Sequence, residues 1–211
     1  MAPVALEIVG LLLSVSGLVC SILSCALPLW KVPAFQGANM VTAVQTWEGL
    51  WMDCIWQSSG QLVCNPFNSV LSLGGKLQAA RALTTIAAAL AALGILVSVM
   101  GASWTELIRG PACKVRLTSA AGFIFLLTGV LQLIPVSTTA NSIISDFYGD
   151  SVSEHAKKEL GSSLYLGIAA GVLFIADACF LWVSCYRRRG RDTQPGHHTP
   201  AQADTSLNQY V

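Results

Sequence analysis

The chain has 211 residues, of which 54% are hydrophobic and only 11% are charged, and its formal net charge at pH 7 is +1. This composition is too apolar for an ordinary soluble domain and is typical of a protein embedded in a membrane. The sequence has no paired carboxylates suited to acid–base catalysis, no Ser-His arrangement, no phosphate-binding loop and no Cys/His metal spacing. We expect no enzymatic activity, no cofactor, no metal and no nucleic-acid partner.

Four apolar runs are long enough to cross the hydrocarbon core of a bilayer, which requires roughly 20 helical residues. The runs lie at about 4–29, 82–104, 117–137 and 164–186. We predict a mainly α-helical membrane protein in which residues 1–186 form one domain, a left-handed bundle of four transmembrane helices. The loops at 30–81 and 138–163 then share one side of the membrane, and both termini share the other.

The first apolar run has a competing interpretation, because a cleaved signal peptide also contains an apolar segment. Ser24-Cys25-Ala26 would then supply the small residues of the cleavage site. The amino end contains Glu7 and has no Lys or Arg before the apolar run, which is unlike a signal peptide. We therefore expect the first run to remain as a span.

Basic residues indicate the orientation, because the cytoplasmic flanks of spans retain Lys and Arg. Most of the 12 Lys and Arg residues lie between the second and third runs or after the fourth run: Arg109, Lys114, Arg116, Arg187, Arg188, Arg189 and Arg191. The others are spread over longer loops. We therefore expect both termini to be cytoplasmic and the loops at 30–81 and 138–163 to lie outside the cell.

The seven cysteines separate according to this topology. Only Cys54 and Cys64 lie on the oxidising side, so we expect them to form a disulfide. Cys113 and Cys185 lie at the cytoplasmic membrane edge, where reversible palmitoylation is chemically accessible, although their spacing does not specify it. The remaining three lie within spans and are interpreted as buried apolar residues: Cys20, Cys25 and Cys179.

The first outer loop alternates β-branched and aromatic residues and predicts an antiparallel β-sheet. If Cys54 faces Cys64, a turn at Ser58-Ser59-Gly60 remains, in which Gly60 supplies the left-handed backbone conformation that a three-residue hairpin loop needs. The predicted pairs in this hairpin are Ile55 with Val63, Trp56 with Leu62, and Gln57 with Gln61.

A strand that continues unbroken through "TWEGLW" places Trp47, Gly49 and Trp51 on one face and Leu50 and Met52 on the other. Both faces are then apolar, so we expect the sheet to be packed on both sides. The tryptophans at the ends of the first two spans are interpreted as anchors at the membrane interface: Trp30 and Trp104.

These residues together resemble the claudin family of tight-junction four-span proteins. Trp30, Gly49-Leu50-Trp51, Cys54 and Cys64 are similar to the W-GLW-C-C signature of that family and its wider four-span superfamily. Further elements narrow the resemblance to claudins: QAARAL at 78–83, which contains Arg81, then Asp146-Phe147-Tyr148, Gly161 with Leu164-Tyr165, and Tyr210-Val211. The resemblance covers all four spans in order. It implies that the signature residues and Arg81 form the scaffold of the outer sheet.

The resemblance implies that the chain polymerises with other claudins, side by side in cis and head to head in trans, to form a paracellular barrier or pore. In the family, an apolar knob before the second span enters an aromatic pocket on the neighbouring protomer. The matching positions are Val70 for the knob and Phe147, Tyr148 and Leu160 for the pocket. The alternative is that the two outer loops pack on each other within one monomer.

Charge selectivity in the family comes from charged side chains of the first outer loop. The matching positions here are Gln57 and Asn65, which are uncharged, whereas a selective pore needs a ring of one sign. The resemblance therefore implies a barrier with weak or no charge selectivity. The alternative function is a regulatory auxiliary subunit of a membrane channel or receptor, since another branch of the same superfamily shares the tryptophan and cysteine signature.

The segment 187–211 is polar and is predicted to be a disordered cytoplasmic tail. It ends in Tyr210-Val211, which matches the carboxyl end of claudins. The resemblance implies that PDZ domains of zonula occludens scaffolds bind this end by strand addition and by capture of the terminal carboxylate.

Asp177 is the least expected residue of the four runs, because it lies roughly 15 Å into the fourth span at 1.5 Å per helical residue. An ionised carboxylate is costly there. We expect Asp177 to be protonated, or to be turned inward toward a donor such as Gln132 or a Ser or Thr.

Overall fold

Four long helices form most of the computed structural model, which describes residues 2–33, 45–56, 60–67, 74–105, 110–148 and 158–192. The helices are α1 (Ala2–Ala26), α2 (Gly75–Gly101), α3 (Pro111–Tyr148) and α4 (Ser162–Asp192). All four are long and apolar enough to cross a membrane. A helix satisfies its own backbone hydrogen bonds, as a span surrounded by lipid requires. The prediction of a four-span helical membrane protein is confirmed.

Three helices extend well beyond the predicted spans. α2 begins at Gly75, so the last part of the predicted outer loop at 30–81 is helical. α3 continues through Pro135 to Tyr148, so the first part of the predicted outer loop at 138–163 is helical. α4 continues to Asp192, so the prediction of a disordered segment is wrong for residues 187–192. The rest of the predicted tail lies outside the described residues. The length of an apolar run predicts a span. It does not show how far the helix continues in polar residues beyond that run.

α4 packs along both α1 and α3, while α2 packs along α3 and less extensively along α1. The centre of the bundle contains Phe125 and Phe174, whose stacked ring centroids lie 6.1 Å apart. Small residues opposite these rings let the helices approach closely. A Cβ at Gly94 would lie 3.0 Å from the Phe125 ring, and one at Gly17 would lie 2.9 Å from the Phe174 ring.

A five-stranded antiparallel sheet caps one end of the bundle in the order β4-β3-β2-β1-β5. The strands are β1 (Lys31–Pro33), β2 (Gln45–Glu48), β3 (Met52–Trp56), β4 (Leu62–Pro66) and β5 (Lys158–Leu160). The last of these comes from the second predicted outer loop, so both loops contribute to one sheet. Beneath the sheet lies an apolar group that we call the subsheet cluster: Trp30, Leu50, Ala80, Val136, Ile143 and Leu164.

The predicted β3–β4 hairpin is confirmed. Cys54 pairs with Cys64 across the two strands and forms the expected disulfide. Gly60 has a φ of 79°, the left-handed conformation that the turn was predicted to need. Two further predicted pairs are present, Ile55 with Val63 and Trp56 with Leu62, whereas Gln57, Ser58 and Ser59 lie outside the described residues.

The predicted unbroken strand through "TWEGLW" is wrong. Glu48 pairs with Asp53, so the chain turns between β2 and β3 instead of continuing straight. The turn buries Leu50, which is 1% exposed, and leaves Trp51 44% exposed. The sheet is also not covered on both sides, because every residue of β4 is exposed. The residues of this turn fit the alternating pattern of a strand, so the pattern alone could not show that the strand ends there.

The sheet joins the bundle where β5 passes into α4. The backbone N–H of Gly161 donates to the carbonyl oxygen of Trp30 over 3.1 Å, and that of Ser163 donates to Leu29 over 3.2 Å. The backbones approach so closely that a Cβ on Gly161 would overlap the carbonyl oxygen of Leu29. Glycine is therefore required at this position for close approach of two backbones.

We predict that Gly161→Ala destabilises the protein by about 1–3 kcal/mol, because the added methyl group must push the two backbones apart. Gly75→Ala is the matched control, since a Cβ at Gly75 meets nothing within 4 Å. Thermal unfolding of the detergent-solubilised protein measures both variants. Equal melting temperatures for the two variants would contradict the close approach at Gly161.

Candidate functional site

Trp30, the first residue of the predicted signature, lies between α1 and β1. Its side chain is 3% exposed, and its indole N–H donates to the carbonyl oxygen of Ser24 over 2.7 Å. Its backbone N–H donates to the carbonyl oxygen of Glu48 over 3.0 Å. Trp30 therefore connects α1 to β2 from inside the subsheet cluster, and its interpretation as an interfacial anchor is wrong.

Gly49, Leu50 and Trp51 form the turn between β2 and β3, which Gly49 closes by donating its N–H to the carbonyl oxygen of Met52 over 3.0 Å. A Cβ on Gly49 would lie 2.5 Å from the Cα of Pro28, so a larger residue does not fit without a shift of the backbone. Leu50 inserts into the subsheet cluster. The turn thus contacts the end of α1 on one side and the bundle core on the other.

Arg81 lies near the start of α2 and is only 7% exposed. Its Nε donates a hydrogen bond to the carbonyl oxygen of Leu50. The guanidinium carbon lies 5.2 Å from the centroid of the Trp51 ring and 5.0 Å from that of Phe67. Aromatic faces attract a cation by about 0.5–2 kcal/mol each. Arg81 therefore connects α2 to the Gly49-Leu50-Trp51 turn and to the residue that follows β4.

Glu48 is an ionic centre that the sequence alone did not indicate. Its carboxylate accepts a hydrogen bond from the Lys158 ammonium and lies 3.5 Å from that of Lys31. Burial disfavours the ionised form of Glu48, but the hydrogen bond and charge of Lys158, followed by Lys31, outweigh burial and lower the pKa of this carboxyl. Glu48 therefore connects β1, β2 and β5 through its contacts with the two lysines.

The predicted pocket residues lie around the end of α3 and β5. The rings of Phe147 and Tyr148 contact each other edge to face, with centroids 5.5 Å apart. Tyr148 is 81% exposed, whereas Leu160 is half-buried and packs against the subsheet cluster. β5 contacts α3, which brings the segment of Leu160 near the helix that carries the two rings. The predicted knob, Val70, lies outside the described residues.

Of the two predicted pore positions, only Asn65 is described. It lies in β4 opposite Asp53, and its side chain is exposed. Gln57, together with the predicted PDZ-binding residues Tyr210 and Val211, lies outside the described residues. At Asp53, burial and then the charge of Glu48 raise the pKa of the carboxyl.

The two predicted palmitoylation residues lie at the opposite end of the bundle from the sheet. Cys113 is exposed in the first turn of α3, and Cys185 is half-buried in α4. The Cys185 thiol donates a weak hydrogen bond to the carbonyl oxygen of Val115 over 3.6 Å. The structure therefore places Cys185 beside the start of the helix that carries Cys113, while modification of either residue stays a prediction.

A buried polar cluster at that same end was missed by sequence reasoning. Glu7 of α1 is 5% exposed and forms a salt bridge with Arg188 of α4. Its carboxylate also accepts hydrogen bonds from the backbone N–H and the hydroxyl of Ser103, over 2.9 and 2.8 Å, and from Ser184 over 3.3 Å. The signal in the sequence was a lone acid at the start of an apolar run.

Asp177 is 1% exposed, as its predicted inward orientation requires. Neither of its carboxylate oxygens has a hydrogen-bond partner within the described ranges, so the predicted donor is wrong. Gln132 accepts a hydrogen bond from Ser21 over 3.2 Å instead. A Cβ at Gly10 of α1 would lie 2.7 Å from Oδ1 of Asp177, which places the carboxyl tightly between α1 and α4.

The residues that the structure describes form a sheet packed on one end of the bundle, and they contain no recognisable reaction centre. Within those ranges, no three His, Cys, Asp or Glu side chains come together as ligands of one metal ion. The predicted scaffold residues converge on the junction between sheet and bundle: Trp30, Gly49, Leu50, Trp51 and Arg81. The geometry therefore supports a structural role for these residues.

Comparison with known proteins agrees with this architecture. Residues 4–180 match the model of the PMP-22/EMP/MP20/Claudin family. Claudin-3 of Rattus norvegicus is 48% identical over 85% of this chain and 82% of its own length, and Claudin-9 of Homo sapiens is 52% identical over 81% and 78%. Claudin-4 of Canis lupus familiaris is 42% identical over 99% of both chains. Because both the family model and these relatives cover most of its length, the chain belongs to the PMP-22/EMP/MP20/Claudin family and is a claudin.

Proposed function

We propose that this claudin is a structural protein of tight-junction strands in the plasma membrane. It polymerises with other claudins in cis and in trans and forms a paracellular barrier with weak or no charge selectivity. The observation that carries this proposal is that the described strands carry charges of both signs, with Glu48 beside Lys31 and Lys158, and that the exposed Asn65 is uncharged. A pore that selects ions by charge needs a ring of one sign, which these residues do not supply.

Assembly in cis requires an apolar surface that is exposed in the monomer. The exposed Tyr148 beside Phe147 supports such a surface, since a large aromatic side chain that is 81% exposed gains free energy when a neighbour covers it. Val70 of the neighbouring protomer is the proposed knob. In this proposal both termini are cytoplasmic, and Tyr210 and Val211 bind PDZ domains of zonula occludens scaffolds.

We predict that expression in epithelial cells lacking endogenous claudins raises transepithelial resistance without an ion preference. Asn65→Asp should then introduce a preference for cations, because polymerisation repeats the new negative charge along the strand. Asn65→Gln is the matched control, since it keeps the site uncharged. Dilution potentials measure the preference, and a marked cation preference of the unmodified protein would contradict the barrier proposal.

We predict that Val70→Glu abolishes strands in freeze-fracture images while delivery to the cell surface is preserved. The reason is that a carboxylate cannot enter an apolar pocket without a large desolvation cost. Tyr148→Ala should shorten or remove strands for the complementary reason. Tyr186→Ala is its control, because Tyr186 is also 81% exposed but lies at the other end of the bundle. Normal strands with Val70→Glu would refute the knob.

We predict that removal of Val211 eliminates binding to the first PDZ domain of a zonula occludens scaffold, because the groove captures a terminal carboxylate together with an apolar final side chain. Calorimetry with the isolated PDZ domain and the full chain in detergent measures the loss. Gln194→Ala, upstream in the same tail, should leave the affinity unchanged. Unaltered binding after removal of Val211 would contradict the proposed contact.

A further inference from the structure

A cavity of about 580 Å³ lies between the sheet and the ends of α2 and α3 that face it. Three parts of the protein supply its walls: strands β1 to β3, the first turns of α2, and α3 beyond Pro135. Its volume falls within the range of roughly 300–1,000 Å³ that small-molecule sites occupy. Neither the scaffold contacts nor the proposed assembly surface uses this space.

The floor of the cavity is apolar. Trp30 and Ala80 of the subsheet cluster line it together with Leu77 of α2. Thr139 and Ser142 of α3, whose side chains carry hydroxyl groups, line another wall. An occupant with both an apolar part and hydrogen-bonding groups therefore matches the lining.

One wall contains the carboxylate of Asp53, which accepts no hydrogen bond from the described residues. Oδ1 of Asp53 is buried and has no hydrogen-bond partner among the described residues. The other acid on this wall, Glu48, is already bonded to Lys158 and close to Lys31. Because Oδ1 cannot be reached from the cavity, a cationic donor there would bind Asp53 through Oδ2, which is not shielded and has no hydrogen-bond partner among the described residues.

Another wall carries positive charge. Lys76 lines the cavity from the first turn of α2, and its ammonium group makes no hydrogen bond or salt bridge within the part of the chain that the structure describes. α2 starts there without a side-chain cap and without an acidic residue in its first turn. The ammonium and the first backbone N–H groups of the helix therefore favour an anion on this side.

We propose that this cavity binds the headgroup of a zwitterionic phospholipid, with Asp53 accepting hydrogen bonds from the ammonium and Lys76 donating to the phosphate. The glycerol and the first acyl carbons contact Trp30 and Leu77. A lipid is the occupant that the position favours, because the cavity lies at the ends of the membrane-spanning helices, where headgroups are concentrated. The proposal is independent of strand formation and of ion selectivity.

Calorimetric titration of the full-length protein in dodecyl maltoside tests this site. The probes are dihexanoyl-phosphatidylethanolamine, dihexanoyl-phosphatidic acid, which lacks the ammonium, and glycerophosphoethanolamine, which lacks the acyl chains. Asp53→Asn should weaken binding of the zwitterionic lipid about tenfold and leave phosphatidic acid unaffected. Lys76→Gln should weaken binding of both lipids about tenfold, because both contain the phosphate.

Two exposed charges outside the cavity provide matched controls, Glu159→Gln for the carboxylate and Arg187→Gln for the cation, and neither should change lipid affinity. In lipid-free detergent, Asp53→Asn should keep or raise the melting temperature, because it removes an unpaired charge. A lower melting temperature for this variant, together with no binding of lipid to the unmodified protein, would show that Asp53 already has a partner and would overturn the proposal.

Three results of the titration would also overturn the proposal. One is an equal affinity of the unmodified protein and Asp53→Asn for the zwitterionic lipid. Another is that neither of the two lipids binds the unmodified protein. The last is binding of glycerophosphoethanolamine as tight as that of the lipid, which would make a soluble zwitterion the occupant.

Discussion

The buried guanidinium of Arg81 is the constraint on which the outer half of the structure depends. A cation with 7% exposure is costly unless its surroundings compensate for the lost water. The carbonyl oxygen of Leu50 and the rings of Trp51 and Phe67 provide that compensation. All three come from the sheet, while Arg81 comes from α2. If the sheet left its place on the bundle, Arg81 would lose all three of these contacts.

A second set of contacts, which does not involve Arg81, joins the sheet to the segments beside α1 and α4. There the backbone of Gly161 contacts Leu29 and Trp30, and Gly49 lies against Pro28. The sheet is therefore held by contacts near the ends of three helices. These contacts matter for a surface that must match a neighbour, because an ordered surface loses less conformational entropy on association than a mobile one.

The four spans and the β3–β4 hairpin were predictable because their signals are local: apolar length for the helices, and cysteine spacing with Gly60 for the hairpin. The turn at Gly49 was not, because its residues continue the alternation of a strand. The contacts of Arg81 were beyond prediction for a different reason. They join residues that are distant in sequence, and neither charge nor periodicity indicates which aromatic ring will face a given cation.

The salt bridge between Glu7 and Arg188 joins the beginning of α1 to the end of α4. During synthesis Glu7 enters the bilayer among the first residues, whereas its partner emerges only after every other span has been made. Until then the carboxylate of Glu7 lacks its counter-charge and the hydrogen bond from Ser184. The salt bridge can therefore form only after the fourth helix has been made, and it then holds the start of α1 against the end of α4.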